Sequence, residues 1–214
     1  MSALASAMGG ARATSDEWRD RYRTPRGVID HVHRVLGSIA LDAAADGVNA
    51  LGFAYCGLDH PDHRFRDALS CDWMQAVCEQ TEREPREHDP RVVAFCNPPF
   101  SMLADFSAKC AAEGQRMTVG LLCMVRLEVA WWREWVQPYA SEVITYHPRV
   151  NYLDPRTGKP CASGSPAAPS CLVVYRPGLT GPPRYTHAEW HPDVKQCRYT
   201  LPLFGPQPSQ PDLL

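Results

Sequence analysis

The chain has 214 residues, 44% of them hydrophobic, enough to bury one substantial core. Its 22 basic and 24 acidic side chains nearly cancel, to a formal charge of -2, so no global basic field marks it for nucleic acid and any such contact must come from a local patch. No stretch approaches the roughly 20 apolar residues of a membrane span, residues 1–14 lack the apolar run of a signal peptide, and nine cysteines without a repeating framework indicate free thiols in a reducing cytoplasm.

The Ala/Ser/Gly-rich segment 1–15 is expected to be a disordered tail. Pro25 suits the first turn of a helix whose apolar positions Val28, Val32, Val35 and Leu36 share one face, and Gly37 ends it. Ile39-Ala40-Leu41 reads as a short buried strand that ends at Asp42. Between Ala43 and Ser70 the pattern is weak: Asn49-Ala50-Leu51 suggests the close of a short helix, and His60-Pro61-Asp62-His63 a loop. Cys56, His60, His63, Cys71 and Cys78 fall close together, but their spacing matches no familiar zinc pattern, and no metal is assigned. Residues 79–91 form a charged, proline-punctuated loop.

Val92 to Cys96 is apolar throughout, the signature of a strand buried on both faces. Ser101 is a candidate cap for a helix over 102–112, stopped by Gly114. Met117 to Met124 is a second apolar strand, followed by an amphipathic segment carrying Trp131, Trp132 and Trp135. Glu142 to Tyr146 and Cys171 to Tyr175 complete the strands, with a Gly/Pro/Ser-rich loop over 154–169 between them. Prolines recur from Pro177 onward, so 177–214 is read as an extension outside a single domain spanning 16–176. Strands alternating with helices predict an α/β fold, a mostly parallel open sheet flanked by helices. Ligands of such sheets bind beyond the carboxyl ends of the strands, where the winding reverses. Asp42 and Asn97 both lie at such ends.

The tetrapeptide Asn97-Pro98-Pro99-Phe100 follows the apolar strand directly. An amino group conjugated to a heterocycle is a poor nucleophile, because its lone pair is delocalised into the ring. An Asn side-chain oxygen and the next backbone carbonyl can each accept one of its N–H groups and return density to nitrogen. Two prolines stiffen the turn, and the aromatic offers a face for a flipped base.

Four pieces occur in order: Thr24-Pro25, Leu41-Asp42-Ala43-Ala44-Ala45, Cys71-Asp72-Trp73 and Asn97-Pro98-Pro99-Phe100. With Arg126, Arg149 and Pro169-Ser170, they resemble the S-adenosylmethionine-dependent DNA N6-adenine methyltransferases, most closely the small phage-type Dam-like family, over 16–176. The resemblance implies a Rossmann-like class I methyltransferase domain that binds S-adenosyl-L-methionine and double-stranded DNA, acting as a monomer or weak homodimer. It implies that Asp42 receives the cofactor's ammonium beside Ala43 and Ala44, and that Thr24 and Pro25 meet its carboxylate. Asp72 and Trp73 would hold its adenine. Asn97, Pro98, Pro99 and Phe100 would carry the reaction, with Asn97 also beside the cofactor, while Arg126, Arg149 and Ser170 would contact DNA. Two features depart from the pattern: alanines replace a Gly-rich turn after Asp42, and only Asp59 is available as an acid for the ribose.

The same tetrapeptide serves enzymes acting on RNA bases or on protein glutamine, and cytosine-N4 enzymes more often carry Ser in place of Asn97. A catalytically silent DNA-binding module of the same fold is the remaining alternative.

Overall fold

The computed structural model describes residues 20–84, 87–161 and 168–190, together with the backbone of 198–200. The expected tail over 1–15 lies outside them, as does most of the segment beyond 190. One eight-stranded sheet organises the chain. Its strands are β1 (Leu41–Asp42), β2 (Ala54–Tyr55), β3 (Val93–Cys96), β4 (Thr118–Met124), β5 (Glu142–His147), β6 (Ser170–Tyr175), β7 (Arg184–Glu189) and β8 (Arg198–Thr200), in the order β2-β1-β3-β4-β6-β5-β7-β8. All pairings among β2, β1, β3 and β4 are parallel, as is β5 with β7. β6 runs against β4 and β5, and β8 against β7. The sheet is thus mixed, with most of its strands in one direction.

Helices cover both faces, which explains why β3 is buried at every position. On one face α1 (Arg26–Leu36) buries Val28, Val32 and Leu36 against Phe95, Leu122, Leu172 and Val174. A Cβ on Gly120 of β4 would come within 2.3 Å of Leu36 Cδ1, so the smallest residue in the central strand admits the helix. On the other face α2 (Trp73–Gln80), α3 (Leu103–Glu113) and a π-helical turn over Trp132–Val136 close over Leu41, Ala94, Val119, Leu121 and Val173. Trp132 is fully buried there.

Several expectations change. Pro25 stands just before α1 with extended ψ, rather than inside its first turn, and its carbonyl accepts from Val28 and Ile29. Gly37 does end α1, at φ 91°. Residues 47–49 form a turn, 50–51 are irregular, and neither is helical; β2 follows them, and two residues of strand are too short to leave a periodic signal. Helix α2 falls where no helix was expected. Ser101 does not cap α3: a 3₁₀ turn over Phe100–Met102 intervenes, and the Ser101 hydroxyl donates to Asp20 at 2.8 Å. The sheet continues beyond 176. β7 pairs with β5 along its whole length, and Trp190 beyond it is 2% exposed with its indole N–H on the Pro148 carbonyl. Polar residues disguise β7, yet Thr186 and Ala188 alternate inward, and Glu142 accepts from both Arg184 and Thr186.

The eight cysteines among the described residues are free thiols. Among those residues no helix is long and apolar enough to cross a membrane, and no group of three or more His, Cys, Asp or Glu side chains is arranged to hold a metal ion.

His31 of α1 is buried against Tyr146 of β5, Nδ1 to hydroxyl 2.9 Å, with the rings edge to face. Burial and then the Arg34 charge depress its pKa to about 4. The unfolded chain therefore takes up this proton first on acidification, so the stability contributed by neutral His31 is complete above pH 6.5 and is lost as pH falls toward 4. The full difference is about 3 kcal/mol. Replacing the pair by His31→Leu with Tyr146→Phe is expected to reduce the loss of denaturation midpoint between pH 7 and pH 5, measured by urea unfolding at both values.

Candidate active site

β1 lies between β2 and β3, so the chain first winds to one side of β1 and then to the other. At that reversal a cleft of about 570 Å³ opens beyond the carboxyl ends of the three strands. Asp42 and Asn97 both line it, from adjacent strands joined in register Leu41 to Ala94 and Asp42 to Phe95.

Asp42 is 4% exposed. One carboxylate oxygen accepts from Leu51 N at 3.1 Å and the other from Ala44 N at 3.4 Å. No basic side chain pairs with it among the described residues. Burial, the dominant influence, raises its pKa to about 6 against the two amide hydrogen bonds, with a further rise from Asp46. A carboxylate held this way is a counter-ion awaiting a cation.

The alanines after Asp42 need no glycine. Among the described residues Glu82 is the one non-glycine residue at positive φ, so Ala43, Ala44 and Ala45 all keep ordinary backbone angles. The close approach that a Gly-rich turn normally permits is supplied from the neighbouring strand. Gly57, just past β2, sits where a Cβ would come 1.9 Å from the Ala45 carbonyl oxygen, and a Cβ on Gly52 would lie 2.7 Å from Asp42 N. Asp59 follows Gly57 into the cleft and accepts from Gly47 N at 2.8 Å. The sequence signal for this arrangement existed, but it lay after β2 and not after β1.

Asn97 Nδ2 donates to Thr24 Oγ1 at 3.1 Å and to the Tyr22 carbonyl at 3.4 Å. Among the described residues nothing donates to Asn97 Oδ1 or to the Pro98 carbonyl. Pro99 lines the cleft while Pro98 is buried beside it. Phe100 is half-buried to one side, its ring 5.7 Å from that of Tyr152 at an interplanar angle of 81°. Thr24, Ala43 and Ala44 line the cleft as well. Pro25 is buried at the start of α1, where its ring supports the wall without lining it.

Asp72 and Trp73 do not reach the cleft. Asp72 caps α2 through Gln75 N at 2.8 Å and pairs with Arg116 at 2.6 Å, beside the amino end of β4. Trp73 is fully buried, and its indole donates to the Ala68 carbonyl at 2.8 Å. It therefore braces the wall formed by Arg66, Asp67 and Ala68 from behind. Ser170 is also fully buried, with its hydroxyl accepting from Tyr152 at 3.2 Å. Arg126 and Arg149 follow the carboxyl ends of β4 and β5, on the same edge of the sheet as Asn97. Arg126 pairs with Glu128 at 2.6 Å. Sequence reasoning missed the residues closest to the cleft mouth, Arg23 and Arg156. They arrive there because residue 23 bridges Leu153, which draws the 154–159 turn over the cleft.

A parallel core sheet with its winding reversed at β1, a buried acid ending that strand and Asn-Pro-Pro-Phe ending the next define a Rossmann-like class I methyltransferase domain. A family model described as DNA N-6-adenine-methyltransferase (Dam) matches residues 11–187, and the chain belongs to that family of enzymes. Neither a curated protein nor a solved structure gives a match. The matched region ends within β7.

Two outcomes follow from this geometry. Ionised Asp42 costs the free protein about 3 kcal/mol at neutral pH. Its folded pKa lies above the unfolded value, so the stability associated with its protonated form is present below about pH 4 and lost as pH rises through 6. Asp42→Asn is expected to raise the thermal midpoint at pH 7.5 by a few degrees, with the gain vanishing near pH 4; calorimetry at the two pH values checks it. Gly57→Ala should cost about 1–3 kcal/mol through the clash with Ala45, read as a lower urea midpoint.

Proposed function

We propose that the enzyme transfers a methyl group from S-adenosyl-L-methionine to the exocyclic N6 of an adenine rotated out of duplex DNA into this cleft. The observation that carries the reading is the convergence of an uncompensated buried carboxylate, Asp42, with the open acceptor of Asn97 from adjacent strand ends. The donor set suits the cofactor. Asp42 matches its ammonium by a charge-assisted hydrogen bond, and Asp59 stands after β2 where an acid meets ribose hydroxyls in related dinucleotide-binding sheets. The Ala43–Ala44 turn permits close approach of the methionine end. When bound, S-adenosylmethionine supplies an electrophilic methyl on a sulfonium.

Asn97 Oδ1 and the Pro98 carbonyl accept the two N–H groups of the target amine, which raises the nucleophilicity of nitrogen as its charge develops. Pro98 and Pro99 keep those acceptors from relaxing. Phe100, backed by Tyr152, packs on the extruded base. No side chain needs to act as a strong base, because the proton leaves once nitrogen has become cationic. Rate enhancement then comes from orientation and from the fixed acceptors. Arg23, Arg126, Arg149 and Arg156, spread along one edge, suit phosphates flanking the extruded nucleotide.

Incubation of the protein with labelled S-adenosylmethionine and unmodified duplex DNA, followed by mass spectrometry of nucleosides, is expected to yield N6-methyladenine. Asn97→Ala should lower the rate by about a hundredfold or more. Because Asp42 must be ionised to receive the ammonium, cofactor affinity should fall about tenfold per pH unit below pH 6 and level off above it. Titration calorimetry across pH 5–8 tests this, and an affinity flat over that range would remove Asp42 from the site. Cofactor binding without DNA methylation would redirect the reading to RNA or protein substrates.

A further inference from the structure

The Asn97 carboxamide is the one group on which the proposed chemistry turns, and a carboxamide has two faces of opposite character. If it rotated by half a turn about its last bond, a donor would replace the acceptor in the cleft and repel the amine. The sequence motif itself contains nothing that prevents this. The structure does, from a segment more than seventy residues away.

Tyr22 meets Asn97 through its backbone carbonyl, which can only accept. That contact requires Nδ2 on its side of the carboxamide, and Thr24 Oγ1 accepts from the same nitrogen. Both amide hydrogens are thereby directed at the 20–24 segment, and Oδ1 is left without a donor among the described residues. The segment also grips the far end of the motif. Asp20 accepts from Ser101 N at 3.3 Å and from the Ser101 hydroxyl at 2.8 Å. It is in turn fixed to the opposite wall, since residue 23 exchanges two backbone hydrogen bonds with Leu153, at 3.0 and 2.9 Å.

We propose that residues 20–24 are a positioning template for the catalytic motif, and that Thr24 orients the Asn97 carboxamide by accepting its amide hydrogen. This rests on the reading of function given above. Thr24 then acts on the rate through Asn97. Asp20 fixes the distance between Asn97 and the turn that follows it.

The test separates turnover from binding. Thr24→Val keeps the shape and removes the acceptor, whereas Thr24→Ser keeps the acceptor. Thr24→Val is expected to lower kcat at saturating S-adenosylmethionine and DNA by about 10- to 100-fold, leaving the cofactor Kd within twofold, and Thr24→Ser should restore most of the rate. Asp20→Ala should lower kcat several-fold in the same manner, with its urea midpoint measured alongside to show that the protein is folded. A raised cofactor Kd with unchanged kcat in Thr24→Val would overturn the proposal and make Thr24 a cofactor contact. Wild-type turnover in both Thr24→Val and Asp20→Ala would also overturn it while leaving the proposed function intact. A wild-type protein that binds cofactor but methylates no adenine would instead remove the reading of function, and this inference with it.

Discussion

The site depends on the pairing of two short strands. β1 and β3 lie side by side in parallel, tied by Ala40 N to the Val93 carbonyl and Ala43 N to the Phe95 carbonyl, both at 2.8 Å. Because both strands end at the same edge, their last side chains are delivered to one place at a spacing the hydrogen-bond ladder fixes. Asp42 and Asn97 both hang from that pairing. A slip of one residue would turn Asp42 or Asn97 to a different face and dissolve the constellation.

Around this pairing, stability and function pull in different directions. The apolar interior on both faces of β3 and β4 stabilises the sheet, yet its edge retains a carboxylate with only backbone amides for company. Such a charge disfavours the empty protein, and a cationic ligand would relieve it. His31 and Tyr146 show the opposite solution for a buried polar pair, in which a neutral side chain is satisfied internally. Asp42 and His31 titrate over overlapping ranges with opposite sign, so their contributions to the acid response partly cancel.

Close packing takes the place of an expected motif at the turn after β1. A Gly-rich loop lets a backbone approach closely; here glycines flanking β2 let that strand's ends approach the backbone around Asp42 and Ala45. These are Gly52 and Gly57, and the alanines after Asp42 gain a firm backbone without positive φ. Trp73 plays a related supporting part. Its indole is buried behind the Arg66–Ala68 wall and donates to the Ala68 carbonyl.

The sequence by itself determined the elements whose signal is local and strong. The apolar runs of β3 and β4, the amphipathic face of α1 with its terminal Gly37, and the Asn-Pro-Pro-Phe turn are all legible, because burial on both faces and fixed backbone angles constrain residue type position by position. From these came the class of fold, the family and the acidic and amide residues of the cleft. Tertiary structure alone decided the rest, since it concerns partners distant in the chain. β2 is too short to show a period, and β7 is polar in composition because Glu142 satisfies its inward Thr186. That Arg116 stands beside Asp72 and Tyr152 beside Ser170 is decided only by the fold. The orientation of the Asn97 carboxamide is likewise invisible in its own motif, because a side-chain amide takes its direction from whichever acceptors the fold brings beside it.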